Sequence, residues 1–308
     1  MTNTLATVSA ESKVFYDTAL LTRALPALLF AKYGQKKSLK SRSGKTVEWR
    51  KFSSLAANTK PLTEGVTPAG KSLDVTAIQA TLDQYGDFVE ISDMLDLVGI
   101  DPVLAETAEV LGEQAGLTID NVVRDVVCAG TNVQYVGGKT NTDGITKADV
   151  MTSDEASRAA ANLKMANAKG AEGKYYIGIV DPYVAYDLMK DPLWQDVSKY
   201  NGGQAIMDGE IGKIGRIRFI ETTETLVKEN ASGVKVHCVM IIGKDAYGLV
   251  DINGTIKPEM IIKALGSAGT ADPLNQRSTA GWKTLFAAKR LDEDNMVRIE
   301  CATSLDAA

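Results

Sequence analysis

The stretch that decides the fold is residues 101–128, which read DPVLAETAEVLGEQAGLTIDNVVRDVVC. Asp101 is a favourable N-cap residue, and Pro102 suits the first helical position because its missing N–H would have no partner there. Small and apolar residues then recur at intervals of three and four, which is the spacing of an amphipathic helix. Gly130 is placed to end it. The pattern predicts a helix of about 27 residues, roughly 40 Å long and more than twice the mean length.

A two-stranded ribbon is predicted immediately upstream, within residues 35–83. Residues 46–52, TVEWRKF, alternate as a strand should, with Val47, Trp49 and Lys51 on one face. A polar stretch rich in proline and glycine follows, and a second strand is predicted over residues 75–82. Because an isolated two-stranded ribbon is only marginally stable in water, the segment indicates a partner surface. A decorated surface loop is the alternative that the pattern leaves open.

Charge is strongly segregated between the ribbon and the helix. Residues 32–51 contain eight basic residues and one acidic residue, whereas residues 83–125 contain eleven acidic residues and one basic residue. These could be two solvated faces. They could also be complementary, with the basic ribbon lying along an acidic helix of the next subunit. Such pairing would set register and orientation more than raw affinity.

The rest of the chain predicts a mixed α and β body. Residues 11–33 have helical spacing interrupted by Pro26, and the helix either docks on its own domain or packs as an arm on a neighbouring subunit. Further predictions are a capping box at Thr152 and Glu155, a strand at 175–180, a helix after Asp181-Pro182, a buried strand at 234–242, a turn at Asn253-Gly254, and a hairpin made by 282–291 and 296–301. Both chain ends are expected to contribute to one layer.

The amino-acid composition excludes several classes of function. The chain has 308 residues, 44% hydrophobic, with a net charge of −5 and a pI near 5.2, so it can bury a sizeable core and is a poor match for a protein that grips nucleic acid tightly. One histidine and cysteines at only 128, 238 and 301 argue against a two-histidine metal site within one subunit and against a disulfide framework. No secretory signal or membrane span is expected, which favours a cytosolic, reduced product.

No catalytic, cofactor or metal motif is complete. Gly44-Lys45-Thr46 lacks the earlier glycine and the helix of a phosphate-binding loop, and the glycines at 209, 212 and 215 have the wrong spacing for a dinucleotide loop. His237 and Cys238 are neighbours in a strand, so they point to opposite faces. The acids at 292–294 suit a solvated turn better than a cation site. We expect no catalytic residues and no cofactor. An enzyme with an unrecognised carboxylate site remains the alternative, which a deep pocket with paired acids would reveal.

Short stretches along the whole chain resemble one family. They are Phe15-Tyr16 and 25–30 near the N-terminus, 46–53 and Thr63-Glu64-Gly65 in the ribbon, Asp181-Pro182 and Gly212-Lys213-Ile214-Gly215 in the body, and Gly281-Trp282-Lys283 near the C-terminus. Together with the order of elements, they resemble the major capsid proteins of tailed bacteriophages, which share the Hong Kong 97-like fold. The resemblance implies an α+β chain with an N-terminal arm (1–35), an extended β-ribbon loop (36–83), a peripheral domain (84–174) with a spine helix (101–128), an axial domain (about 175–270) and a return to the peripheral domain (271–308).

The resemblance also implies a function. The chain would assemble with itself into pentamers and hexamers of an icosahedral virion capsid around double-stranded DNA, in the host cytoplasm, without a membrane. A separate scaffolding protein and a portal are expected partners. Contact with the DNA should be weak and non-specific, because a shell that gripped packed DNA would stall packaging and ejection. An encapsulin-like container with a protein cargo, identifiable by a cargo-peptide groove, is the alternative.

Inter-subunit contacts are expected between the ribbon and the spine helix of a neighbour. The ribbon residues are Arg42, Lys45, Trp49, Arg50 and Lys51, and the helix residues are Glu106, Glu109 and Glu113. Some relatives of the family join subunits through a Lys–Asn isopeptide bond, and no pair in this sequence is assigned to that chemistry.

Overall fold

A computed structural model of the chain describes residues 28–40, 44–98, 103–194, 210–252, 258–267 and 272–307. Most of the predicted N-terminal arm, Arg42, the Asp101-Pro102 cap, Gly209 and the Asn253-Gly254 turn lie outside these ranges. The helices are α1 (Phe30–Tyr33), α2 (Asp93–Val98), α3 (Val103–Cys128), α4 (Ser153–Met165) and α5 (Pro182–Lys190). The strands are β1 (Gln35–Leu39), β2 (Thr46–Phe52), β3 (Val75–Thr81), β4 (Asp83–Ser92), β5 (Val133–Tyr135), β6 (Tyr176–Val180), β7 (Glu210–Ile214), β8 (Ile217–Glu221), β9 (Val227–Glu229), β10 (Lys235–Ile242), β11 (Tyr247–Ile252), β12 (Glu259–Lys263), β13 (Arg277–Arg290) and β14 (Met296–Cys301).

Strand β13 organises a five-stranded sheet. It pairs with β4 along one edge, and with β12 and then β11 along the other, so that Gly281 lies between Phe88 and Ile261. Strand β1 adds to β11 in parallel. Because β1 comes from near the N-terminus and β13 from near the C-terminus, the expectation that both chain ends share one layer is confirmed.

A seven-stranded sheet forms the second layer, in the order β5-β14-β10-β6-β8-β7, with β9 also pairing with β10. Its middle strands are buried on both faces. On β10, Val239 and Ile241 pack with α4 and α5, whereas Met240 and Ile242 pack toward α3 and the five-stranded sheet. This alternation follows directly from the opposite orientation of successive side chains in a strand.

The long helix α3 joins the two layers. Its first half packs through Ala108, Leu111 and Ala115 on the five-stranded sheet. Its second half packs through Ile119 and Val123 on the inner face of the seven-stranded sheet. At 26 residues it is roughly 39 Å long, so it can contact both layers.

Two arginines close the C-terminal end of α3. The guanidinium of Arg298 donates to the carbonyls of Cys128 and Gly130, and that of Arg290 donates to the carbonyl of Val126 at 3.2 Å. Positive charge at this end offsets the negative pole of the helix. The helix therefore ends where the sequence predicts, and two strands hold its end in place.

The predicted C-terminal hairpin is wrong. Both segments are strands, but β13 lies in the five-stranded sheet and β14 lies in the seven-stranded sheet, where it pairs with β10 and β5. The acidic connection forms a turn of 3₁₀ helix over Glu293–Asn295 that carries the chain from one sheet to the other. Alternation of apolar residues identified the strands, but it could not identify their partners.

Two other expectations change in detail. The Thr152 hydroxyl accepts from the Glu155 N–H as expected, but the Glu155 carboxylate binds Gln134 and the Gly137 N–H instead of completing a capping box. The two sheets also cross the residue boundaries of the expected domains. Helix α4, expected with the spine helix, packs on the seven-stranded sheet, and β11 and β12, expected in the axial domain, pair with β13.

Candidate assembly interface

The base of the ribbon is anchored on the subunit's own five-stranded sheet. Val47 and Trp49 of β2 pack against Val250 and Ala287, on the sheet face opposite α3. Trp49 is only 8% exposed, and its ring lies so close to Gly248 that a Cβ there would approach it to 2.5 Å. Trp49, predicted to contact another copy, therefore lies within its own subunit and fixes the direction in which the ribbon leaves the body.

The ribbon's basic residues also have partners within the subunit. Lys45 Nζ lies 3.4 Å from Asp83 and Lys51 Nζ lies 2.6 Å from Asp292. Arg50 pairs across 2.9 Å with Glu48, and this hydrogen bond lowers the pKa of Glu48. None of these partners lies on α3. Side chains of Lys45 and Arg50 remain 67% and 71% exposed, so both can still meet a second surface, whereas Lys51 is largely engaged.

Beyond the paired strands lies the ribbon tip, residues 53–74, every one of which is exposed. The tip contains no helix or strand. A turn closed by the Val66 N–H on the Thr63 carbonyl, with Gly65 in the left-handed region at a φ of 78°, reverses the chain. Four large apolar side chains are carried here without cover, namely those of Leu55, Leu62, Val66 and Leu73. An exposed apolar segment of this length is typical of an interaction surface.

The spine helix turns acidic residues outward. Glu106, Val110 and Glu113 are exposed, and their spacing of four and three places them along one face of the helix. The opposite face carries the buried Ala108 and Leu111. The predicted acidic surface therefore exists on the outside of the subunit, with Glu109 half-buried beside it.

A second exposed apolar face was missed by the sequence reasoning. On α5 and just beyond it, Tyr183, Tyr186, Met189 and Leu193 are all 40% exposed or more. Their spacing of three and four puts them on one side of the helix, opposite the buried Val184 and Leu188. The signal was present in the sequence, because α5 carries apolar residues on both of its faces.

A family model described as phage capsid protein matches residues 75–299, which is well over half of the chain. The chain belongs to the phage capsid protein family. It is a structural protein of the virion, a major capsid protein that forms an icosahedral shell, and it carries the Hong Kong 97-like fold.

Solved capsids share this architecture at low sequence identity. The capsid of Ralstonia phage GP4 is 14% identical with a TM-score of 0.73, over 88% of this chain and 87% of that one. The capsid protein of cyanophage Pam1 is 14% identical with a TM-score of 0.66, over 92% and 93%. A virus-like particle from Pyrococcus furiosus is 11% identical with a TM-score of 0.56, over 94% and 100%. No curated protein sequence matches the chain.

A buried ion triad clamps the C-terminus of the capsid protein. His237 on β10 lies between two carboxylates, with Nδ1 2.6 Å from Asp181 and Nε2 2.6 Å from Asp306. Burial acts to lower the pKa of His237, but hydrogen bonds and charge from both carboxylates outweigh it, so the pKa is raised. Asp181 also caps α5 through the N–H groups of Tyr183 and Val184. His237 thus has a structural role, in which it links Asp181 at the start of α5 to Asp306 near the C-terminus.

A second buried carboxyl links α1 of the capsid protein to the spine helix. Asp120 of α3 accepts from the Ala31 N–H at 3.0 Å, and the Tyr247 hydroxyl donates to the neighbouring Phe30 carbonyl at 2.5 Å. The second oxygen of Asp120 has no partner among the described residues. Burial raises the pKa of Asp120 to about 7.

Within the described ranges, no group of three or more histidine, cysteine, aspartate or glutamate side chains is arranged to hold a metal ion. None of the helices in those ranges is long and apolar enough to span a bilayer.

Proposed function

We propose that the capsid protein assembles into pentamers and hexamers in which the ribbon of each copy lies over the spine helix of its neighbour. The observation that carries this proposal is the ribbon tip, whose residues are exposed throughout in the isolated subunit. The anchored base supports it further, because Trp49 sends the ribbon away from the body in a fixed direction.

The energy available from the tip is substantial but not sufficient alone. Full burial of Leu55, Leu62, Val66 and Leu73 would contribute roughly 1.5–3 kcal/mol each, or about 6–12 kcal/mol per contact. Bringing two subunits together costs roughly 4–15 kcal/mol in lost freedom of motion. A single ribbon contact would therefore be weak. A closed ring, in which every copy both gives and receives a ribbon, would be stable.

Opposite charges on the ribbon and the spine helix would set the position at which the two elements meet. Lys45 and Arg50 are the exposed ribbon cations, and Glu106 and Glu113 are the outward acids of the spine helix. We extend the proposal to Arg42 and Glu109 on charge alone, and give Lys51 a smaller part because Asp292 already holds it. Trp49 contributes by positioning the ribbon and makes no contact of its own with the neighbour.

Electron microscopy and sizing of charge-reversal variants test this proposal. Arg50→Glu should reduce shell formation strongly, because it brings a negative charge to an acidic helix, while the unfolding transition of the subunit stays the same. Glu106→Arg should reduce assembly in the same way, and the double variant should recover part of it. Lys147→Glu, at an exposed site away from the ribbon, is the matched control. Unchanged assembly of both single variants would contradict the proposed contact between the ribbon and the spine helix.

The remaining parts of the proposal concern what the shell contains and where it forms. We infer double-stranded DNA as the content, a separate scaffolding protein and a portal as assembly partners, the host cytoplasm as the place of assembly, and no catalytic activity. The phage capsid family favours DNA over a protein cargo. Shells purified from infected cells should contain DNA that resists added nuclease. Shells filled with one protein species instead would favour the container alternative.

A further inference from the structure

A basic groove lies on the subunit away from the ribbon and the spine helix. It is a cavity of about 650 Å³, and its lining includes the cations Lys164, Lys169, Lys174, Arg216 and Lys244. All five side chains are exposed, and no ion pair is described for any of them. A concentration of five unneutralised positive charges is unusual on a chain whose net charge is −5.

The end of α4, which carries Lys164, and three turns of the chain bring these cations together. The loop after α4 is tied to the β10–β11 turn by the Lys244 N–H, which donates to the Lys169 carbonyl at 2.8 Å. The β7–β8 turn is tied to the same loop by Arg216 Nε, which donates to the Lys174 carbonyl at 3.2 Å. These hydrogen bonds hold the three turns together, and the Lys174 ammonium also lies 5.4 Å from the centroid of the Tyr175 ring.

Arg216 occupies a backbone conformation that its side chain disfavours. Gly215 and Arg216 form the β7–β8 turn with φ values of 55° and 75°, both in the left-handed region. Glycine is the residue that such a turn prefers at its second position, and a non-glycine residue held there costs on the order of 1 kcal/mol or more. The turn thus carries an arginine at a site where glycine would be more stable, which indicates a use for the charge.

We propose that this groove binds the phosphate backbone of double-stranded DNA without sequence preference. The inference rests on the proposed function, in which the shell encloses DNA, and it assigns the contact to a specific surface. The lining contains four lysines to one arginine and no large aliphatic side chain. Lysine acts on phosphate as a mobile point charge, whereas a protein partner would need apolar anchors. Five contacts at most keep the attraction weak and salt-dependent.

Fluorescence anisotropy with a labelled 30-base-pair duplex of mixed sequence tests the proposal, using the full chain at a concentration where it stays unassembled. With five contacts, affinity should fall about 500-fold between 50 and 200 mM salt, since the log–log slope is roughly 0.9 per phosphate. The triple variant Lys169→Gln, Lys174→Gln, Lys244→Gln should fall only about twelvefold over that range. A control triple at exposed lysines elsewhere, Lys147→Gln, Lys263→Gln, Lys289→Gln, should match the wild type.

The substitution Arg216→Gly gives an independent test of the same groove. It should lower the slope by about 0.9 with little change in the unfolding midpoint, because relief of the strain at φ 75° offsets the lost hydrogen bond to the Lys174 carbonyl. The proposal is overturned if the groove triple keeps the wild-type affinity and slope, if the control triple loses as much, or if polyglutamate binds the groove and the duplex does not. Shell formation is measured separately. If the protein forms shells but its DNA binding does not depend on the groove, only this inference is overturned. If the protein forms no shells, the proposed function is overturned.

Discussion

Asp120 makes the stability of the subunit depend on pH in a way that one substitution should abolish. Its carboxyl is fully buried in α3, where it holds the Ala31 N–H at 3.0 Å, and burial raises its pKa from the ordinary 3.8 to about 7. The folded subunit therefore keeps a proton on Asp120 between about pH 4 and 7 that the unfolded chain releases. Because the folded state binds more protons in this window, the stability is complete below it and is lost as pH rises through it.

The size of the effect follows from the same difference. Three pH units at about 1.4 kcal/mol each give a loss of roughly 4 kcal/mol between pH 4 and pH 8, as an upper bound. Asp120→Asn keeps an oxygen for the Ala31 N–H and cannot ionise. The variant should match the wild type below about pH 4, where both carry one unpartnered polar group. It should be more stable by roughly 1.5 kcal/mol at pH 5 and by up to about 4 kcal/mol at pH 9, because the wild type loses stability from pH 4 upward.

Urea unfolding of the unassembled subunit at pH 5, 7 and 9 measures this directly. Asp125→Asn, at an exposed site on the same helix, is the control and should shift the free energy of unfolding by under about 1 kcal/mol at every pH. If Asp120→Asn unfolds with the same pH dependence as the wild type, or is the less stable protein at pH 9, then the buried carboxyl does not behave as its surroundings require.

Two further predictions concern the anchors of the chain. Trp49→Ala should lower the free energy of unfolding of the subunit by about 3–5 kcal/mol, because the ring fills the space over Gly248. Limited proteolysis should then cut the ribbon sooner than in the wild type. Equal cleavage rates would show that Trp49 does not anchor the ribbon. His237→Gln should lower the free energy of unfolding, because it removes the charged group between Asp181 and Asp306. Since the pKa of His237 is raised, the extra stability of the wild type should be complete at pH 6 and shrink as pH rises through the raised value. A difference in urea unfolding that grows with pH would contradict the charged triad.

Much of the fold follows from local signals. The ribbon strand Thr46–Phe52, the spine helix ending at Cys128 and the Asp181 cap of α5 all agree with the sequence pattern. Each depends on residues that are close in sequence, such as an alternation, an N-cap or a run of small residues at helical spacing. The charge contrast between ribbon and helix also points to the surfaces on which assembly is proposed to depend.

Features that depend on distant residues could not be predicted. Strands β13 and β14 look like a hairpin because only five residues separate them, yet tertiary pairing sends them to different sheets. The partners of His237 are 56 and 69 residues away, and the basic groove collects its cations from α4 and three separate turns. For Trp49, the strand pattern indicates which face is apolar, but it does not indicate whether that face contacts the same subunit or another.

The contact between the ribbon and the neighbouring spine helix is tested most directly by cryo-electron microscopy of shells assembled from the purified chain, at a resolution that traces residues 53–74. We expect closed shells of pentamers and hexamers in which this ribbon tip lies along α3 of a neighbouring copy, with Leu62 and Val66 buried and Arg50 within reach of Glu106 or Glu113. A chain that stays monomeric under all conditions would contradict it. So would shells in which the tip folds back onto its own subunit and leaves the neighbour's spine helix uncovered.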